Sequence, residues 1–137
     1  MEGNDGDGQV AKGVSMPKKK VLIIEDSPEM QMIYREMFDG EDAYDVDIVG
    51  GVPDADENMK KTSYDVVLLD IIMEPVGGDA FFFRLRESEE TKKLPVIVIS
   101  VLTPSITAAI KKLGHVEVLQ KPVKKEILME TLKTMVG

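Results

Sequence analysis

The chain has 137 residues, a length that predicts one domain. It contains no cysteine, which excludes a disulfide scaffold and a thiolate metal site. No apolar run approaches the roughly 20 residues that span a bilayer, and a net charge of −8 argues against binding to nucleic acid. Residues 1–5 are polar and acidic, unlike a signal peptide, so we expect a cytoplasmic protein with no membrane or nucleic-acid partner.

The start of the chain differs from the rest in composition. Residues 1–17 are rich in glycine and aspartate and show no apolar period. We therefore predict a disordered tail over residues 1–17, followed by one folded domain over residues 18–137.

The folded part opens with a strand and a well-marked helix. Residues 21–24, Val-Leu-Ile-Ile, form a short apolar run typical of a buried strand. Ser27 is then the expected N-cap residue of a helix, and Pro28 suits the first helical position. One apolar stripe follows at helical spacing and comprises Met30, Ile33, Tyr34, Met37 and Phe38.

Four more pairs of strand and helix follow in the same alternation. Apolar runs at residues 46–49, 66–69, 96–99 and 116–119 predict the strands. Two helices are predicted over residues 54–61 and 78–87, and two more begin at Pro104 and Lys124. In the third helix we predict buried Phe81, Phe82 and Leu85 and a partly exposed Phe83. The inward faces of the last two helices comprise Ile106, Ile110 and Leu113, and Ile127, Leu128, Thr131, Leu132 and Met135.

This alternation predicts an α/β fold. We expect a five-stranded parallel sheet with five helices on both faces, a flavodoxin-like doubly wound architecture. The first, third and fourth runs are uninterrupted, as in strands buried on both faces, whereas the second and fifth contain an acid that suits an edge. A strand order of 2-1-3-4-5 satisfies this pattern. It places a switch point, where such folds bind ligands, between the first and third strands.

Polar residues stand directly after the predicted strands. Glu25 and Asp26 follow the first, Asp70 the third, Ser100 the fourth and Lys121 the fifth. Because the carboxyl ends of parallel strands meet at one edge of a sheet, we expect these five side chains to converge.

Three carboxylates at one point repel one another unless a cation lies between them. With no histidine or cysteine nearby, oxygen ligands favour Mg²⁺ before Mn²⁺. Mg²⁺ completes its shell with water and phosphate oxygens, and an ammonium and a hydroxyl suit the remaining phosphate oxygens. Asp70, at the centre of the group, is the candidate nucleophile, since aspartate forms an acyl phosphate.

The combination resembles the receiver domain of two-component response regulators, of the single-domain chemotaxis type. The acidic pair, the aspartate, the serine and the sequence Lys121–Pro122 stand at the family's positions, and the resemblance covers residues 18–137. It implies that Asp70 is the phosphoacceptor and that Asp26 and Asp70 ligate Mg²⁺, with Glu25 as the other member of the acidic pair.

The resemblance also implies roles for further positions. Ile72 would offer its backbone carbonyl to the metal, Ser100 would bind the phosphoryl group, and Lys121 would pair with the acyl phosphate. The Lys121–Pro122 peptide would be cis, although X–Pro bonds are cis in only about 5–6% of cases in general. Gly78 would open the third helix.

The sequence departs from the family pattern at several positions. Glu74 stands as an extra residue between Met73 and Pro75, which predicts an altered loop. Val118 replaces the usual switch aromatic, and Val101 replaces a small residue beside the site.

Two further side chains predict the lifetime of the phosphoryl group. Ile72 and Leu102 flank the path of the attacking water in this family, and both are apolar here. Apolar side chains cannot orient water by hydrogen bonds, so we predict slow loss of phosphate.

The leading hypothesis is a phosphoacceptor rather than an enzyme, able only to phosphorylate and slowly dephosphorylate itself. A histidine kinase or phosphotransfer protein would supply the phosphoryl group. An unknown downstream protein would read the result, because no effector segment is recognisable in the sequence.

Three alternative functions compete with this hypothesis. The main one is a receiver fold that docks to partners without phosphorylation, favoured by Glu74, Val101 and Val118. An FMN carrier would need a phosphate loop rich in glycine, serine or threonine in place of Glu25 and Asp26. A phosphohydrolase would need an acid in place of Ile72.

Overall fold

The computed structural model describes residues 17–73, 76–101 and 104–137. Strands and helices alternate along the chain in five pairs. They are β1 (Lys19–Ile24), α1 (Pro28–Phe38), β2 (Tyr44–Val49), α2 (Val52–Lys61), β3 (Val66–Asp70), α3 (Gly78–Glu87), β4 (Val96–Ser100), α4 (Pro104–Lys111), β5 (Val116–Gln120) and α5 (Lys125–Val136). No helix within the described ranges is both long and apolar enough to cross a membrane.

The five strands form one parallel sheet in the order β2-β1-β3-β4-β5, which confirms the predicted topology. All residues of β3 and β4 are buried, whereas β2 and β5 alternate between exposed and half-buried residues. The acids within the two outer strands therefore mark sheet edges, as predicted, because an edge strand exposes part of its surface to water.

Alternate side chains of the sheet build two separate apolar layers. On one face, Leu22 and Ile24 of β1 belong to a core that α2, α3 and α4 cover. On the other face, Val21 and Ile23 belong to a core that α1 and α5 cover. The helices thus lie on both faces, as predicted. In α3, Phe81, Phe82 and Leu85 are buried and Phe83 is half-buried, as the pattern indicated.

Two predicted helix boundaries shift in the structure. The second helix begins at Val52 rather than at residue 54, because Val52 is buried in the core and Pro53 suits the first turn. The last helix begins at Lys125, and Lys124 is its N-cap residue.

Three apolar residues predicted to face inward are instead exposed. Ile33 of α1 and Ile127 of α5 are 38% and 47% exposed, and Leu113, 44% exposed, lies beyond the end of α4. A helix that packs on a sheet buries only one stripe, and α1 and α5 fill theirs with other residues. Those residues are Tyr34, Phe38, Leu128 and Leu132.

Arg86 fixes the turn from which β5 starts. Its guanidinium lies 4.7 Å from the ring centroid of Phe82 and donates hydrogen bonds to the carbonyls of Thr91, Gly114 and His115. The His115 carbonyl also accepts the N–H of Val96. This turn sets the position of β5, and Lys121 directly follows the far end of that strand.

Candidate functional site

The end of β1 places two adjacent acids in different surroundings. Glu25 extends the pairing of β1, since its N–H donates to the Val49 carbonyl at 3.0 Å, and the residue is buried at 1% exposure. Its Oε2 accepts the N–H of Ser27 at 3.1 Å. Ser27 in turn caps α1 by accepting the N–H of Met30. Asp26 is exposed at the mouth of the site.

The end of β3 places Asp70 beside this pair. Its carboxylate is buried, and its Oδ1 accepts the N–H of Ile72 at 3.1 Å. The first residue of α3, Gly78, lies directly against the backbone of Asp70. A Cβ at Gly78 would lie 2.0 Å from the Asp70 carbonyl oxygen, so a side chain there would displace the strand end.

The ends of β4 and β5 complete the group. The N–H of Lys121 donates to the Ser100 carbonyl at 2.9 Å, which holds the two strand ends together. From there the Lys121 Nζ reaches to 3.0 Å from Asp70 Oδ2 and 3.8 Å from Glu25 Oε1. The Lys121–Pro122 peptide is cis, as the resemblance implied.

Glu25, Asp26 and Asp70 form what we call the acid cluster: one carboxylate oxygen from each lies within 4.8 Å of the others. Burial raises the pKa of Glu25, and the charge of Asp70 adds to this rise. The Ser27 N–H and the ammonium of Lys121 act in the opposite direction. Burial also raises the pKa of the Tyr34 hydroxyl, with smaller contributions from the charges of Glu25 and Asp70.

The acid cluster has the chemistry of a site for a hard divalent cation. All its donors are oxygens, which Mg²⁺ prefers. Moreover, the buried Oε1 of Glu25 has no hydrogen-bond partner among the described residues. A buried polar atom without a partner costs free energy, and a cation or its bound water would offset that cost. These residues therefore fit Mg²⁺.

The structure thus brings Glu25, Asp26, Asp70 and Lys121 together, as the sequence predicted. Ser100 lies at the neighbouring strand end and is buried, but its hydroxyl donates to the Val101 carbonyl at 2.6 Å. Among the hydrogen bonds of the described residues, none joins Ser100 to Asp70.

The structure describes only some of the flanking positions at which the sequence departs from the family pattern or predicts the phosphoryl lifetime. Ile72, whose N–H donates to Asp70, is 60% exposed, and Val101, which follows Ser100, is 57% exposed. The proposed contact of the Ile72 carbonyl with a metal stays a prediction. Val118 is half-buried against the core. Leu102, Glu74 and Pro75 lie outside the described residues.

One residue near the site was not identified from the sequence. The side-chain amide of Gln31, in α1, donates to the Glu25 carbonyl at 2.7 Å. A glutamine within a helical pattern carries no signal of such a contact, because glutamine is an ordinary helix former.

Fold and site together define a class: a doubly wound α/β protein with an acid cluster and a lysine at the switch point of its sheet. Within that class the chain belongs to the response regulator receiver domain family, whose model matches residues 21–133. It is therefore a receiver domain of two-component systems.

Comparison with individual proteins agrees with this assignment. The chain is 34% identical over 111 residues to a protein-glutamate methylesterase/protein-glutamine glutaminase of Syntrophomonas wolfei, a match that covers 78% of the chain and 31% of that relative. The chain thus spans less than a third of the length of that relative.

Two solved structures illustrate the likeness in fold. The receiver domain of a sensor histidine kinase from Pseudomonas aeruginosa, with a magnesium ion coordinated in its active site cleft, has a TM-score of 0.76 and 22% identity, covering 88% of this chain and 99% of that one. The chemotaxis protein CheY4 of Vibrio cholerae has a TM-score of 0.77 and 24% identity, covering 87% and 99%.

Proposed function

We propose that the protein is a Mg²⁺-dependent phosphoacceptor whose Asp70 receives a phosphoryl group from a phosphohistidine. The observation that carries the proposal is the convergence on Asp70. Two further carboxylates lie within 4.8 Å of it, and an ammonium lies 3.0 Å from its Oδ2. This arrangement combines a nucleophile, a set of cation ligands and a countercharge at one point.

The chemical step is a displacement at phosphorus. A carboxylate oxygen of Asp70 forms a bond to phosphorus while the bond from phosphorus to the donor imidazole nitrogen breaks, and the electron pair of that bond leaves with the imidazole. The Lys121 ammonium, already paired with Asp70, offsets the negative charge that the new acyl phosphate carries. The Ser100 hydroxyl would then exchange its bond to the Val101 carbonyl for one to a phosphoryl oxygen.

Glu25, Asp26 and Asp70 would hold the Mg²⁺. The ion would supply charge neutralisation for the phosphoryl oxygens as they approach the carboxylates. Without it, three carboxylates would repel a phosphate group, against the positive charge of the Lys121 ammonium.

The role in the cell follows from this chemistry. We propose that a histidine kinase or phosphotransfer protein is the donor, that the protein acts in the cytoplasm, and that a downstream protein binds the phosphorylated form. On this proposal the protein is no enzyme towards other substrates: its chemistry is confined to its own Asp70.

The proposal is tested by mass spectrometry after incubation with acetyl phosphate and Mg²⁺. We expect a gain of one phosphoryl group in the wild-type protein and in Asp54→Asn, which changes an exposed aspartate of α2. Asp70→Asn, and the wild-type protein with EDTA, should show no gain.

A different outcome would point to the main alternative, a docking module that works without phosphorylation. If the wild-type protein gains no phosphoryl group, and its amide NMR signals near Asp70 do not shift with beryllofluoride and Mg²⁺, the phosphoacceptor proposal is refuted. A gain that persists in Asp70→Asn would also refute the assignment of Asp70.

A further inference from the structure

Gln31 lies in the second turn of α1 and reaches back to the end of β1. Its Nε2 donates to the backbone carbonyl of Glu25 at 2.7 Å, the shortest side-chain hydrogen bond to the β1–α1 junction. The amide lies between α1 and the end of β2, since a Cβ at Gly50 would be 3.8 Å from Nε2. The helix itself does not need this bond, because Ser27 already caps its first turn.

With this bond, hydrogen bonds hold the N–H, the carbonyl and one carboxylate oxygen of Glu25. The N–H of Glu25 is held by the Val49 carbonyl and its Oε2 by the Ser27 N–H. With Gln31 on its carbonyl, the residue is tied to β2, to the helix cap and to the body of α1. The Glu25 carbonyl is thus held by a side chain rather than by the sheet.

That carbonyl belongs to the peptide group that joins Glu25 to Asp26. Because a peptide group is planar, the direction of its C=O fixes the direction in which the Asp26 N–Cα bond leaves. Asp26 is the exposed member of the acid cluster, so burial does little to hold it. The orientation of its carboxylate therefore depends on this peptide plane.

We propose that Gln31 is a positioning residue for the divalent-cation site, which aims the Asp26 carboxylate by fixing the Glu25–Asp26 peptide. The inference rests on the proposed function, since it assigns Gln31 to the same Mg²⁺ site. Residues that orient metal ligands without touching the metal typically contribute about 10–100-fold to metal affinity.

The test compares Gln31→Met with Arg35→Met. Methionine matches glutamine in length and helix propensity but has no donor, and Arg35 is an exposed residue of the same helix, one turn further on. For each variant, the Mg²⁺ dissociation constant and the free energy of unfolding without Mg²⁺ are measured. A third variant, Gln31→Asn, keeps the amide but shortens its reach.

We expect the Mg²⁺ dissociation constant to rise about tenfold in Gln31→Met and in Gln31→Asn, and to stay near the wild-type value in Arg35→Met. At saturating Mg²⁺, Gln31→Met should still gain one phosphoryl group from acetyl phosphate. A purely structural role would lower the unfolding free energy of the folded variant without changing its Mg²⁺ affinity.

The outcomes distinguish a failure of this inference from a failure of the proposed function. If either Gln31 variant folds and binds Mg²⁺ as tightly as the wild-type protein, the positioning role is overturned while the phosphoacceptor proposal stands. If the wild-type protein itself binds no Mg²⁺, both are overturned.

Discussion

The two halves of the site differ in how completely they are built. In the acid cluster, Glu25 is buried and bonded through its N–H, its carbonyl and one carboxylate oxygen, and Asp70 is bonded to the Ile72 N–H. On the opposite side, the Ser100 hydroxyl bonds to the Val101 carbonyl and makes no bond to Asp70 within the described ranges. Lys121 links the halves, because its N–H donates to the Ser100 carbonyl and its Nζ lies 3.0 Å from Asp70 Oδ2.

The difference indicates that the two halves of the site have different roles. Ligands that are fixed in advance, as Glu25 and Asp70 are, bind a cation with a smaller cost in ordering, which would suit the proposed Mg²⁺ site. A hydroxyl engaged elsewhere has a second arrangement available to it. Such a group can report the arrival of a new charge, because its bond changes partner.

The sharpest test of this comparison changes one residue in each half. Asp26→Asn should weaken Mg²⁺ binding by about a hundredfold or more, since it removes a charged ligand, which matters more than a partner that only orients one. Ser100→Ala should leave the Mg²⁺ dissociation constant within about threefold of the wild-type value, since its hydroxyl bonds outside the acid cluster. Isothermal titration of both variants measures this contrast. Equal losses in the two variants would show that the hydroxyl belongs to the cation site.

A smaller effect is expected from a change at Ile72, on the lifetime of the phosphoryl group. Ile72 is 60% exposed beside the acid cluster and has no group that orients water. Ile72→Asn should hasten the loss of phosphate roughly tenfold, below the 10²–10⁴-fold of a positioned general base. Met32→Asn is the matched control, because Met32 is 61% exposed on α1. A wild-type half-life of seconds would contradict the prediction of a slow reaction.

Most of the fold was open to prediction because the relevant signals are local. The apolar runs of β3 and β4 and the acids within β2 and β5 follow from how each strand is buried, and the strand order follows from them. The positions of Asp70 and Lys121 follow too, because residues after parallel strands share one edge. By contrast, apolar residues at helical spacing do not show how wide the buried stripe is, and the prediction that Ile33 and Ile127 face inward is therefore wrong.

Other features of the site depend on distances that no local pattern encodes. The contact of Gln31 with the Glu25 carbonyl requires that the second turn of α1 return to the end of β1. The close approach of Gly78 to the Asp70 carbonyl explains why a glycine opens α3, but the sequence shows only that a glycine is there. Likewise, two adjacent acids do not reveal which is buried, and here it is Glu25.

The smallest predicted effect concerns the stability that the protein loses by burying the Glu25 carboxylate. Burial raises the pKa of Glu25 above its ordinary value of 4.5, so the folded state binds the proton more tightly than the unfolded state. The stabilising effect of protonated Glu25 is complete below that value and is lost as pH rises through the folded pKa. Without Mg²⁺, the unfolding free energy of the wild-type protein should therefore fall, relative to that of Glu25→Gln, as pH rises from 4.5 through the folded pKa of Glu25.

At neutral pH without Mg²⁺, Glu25→Gln should consequently be more stable than the wild-type protein by about 1 kcal/mol, the low end of the cost of an unsatisfied buried polar group. In saturating Mg²⁺ the order should reverse, because only a protein that binds the ion well gains stability from it. Chemical denaturation in both conditions measures the change, with the exposed Glu29→Gln as the control. If the wild-type protein is instead the more stable of the two without Mg²⁺, Lys121 already neutralises Glu25. Burial of the Glu25 carboxylate would then not lower the unfolding free energy.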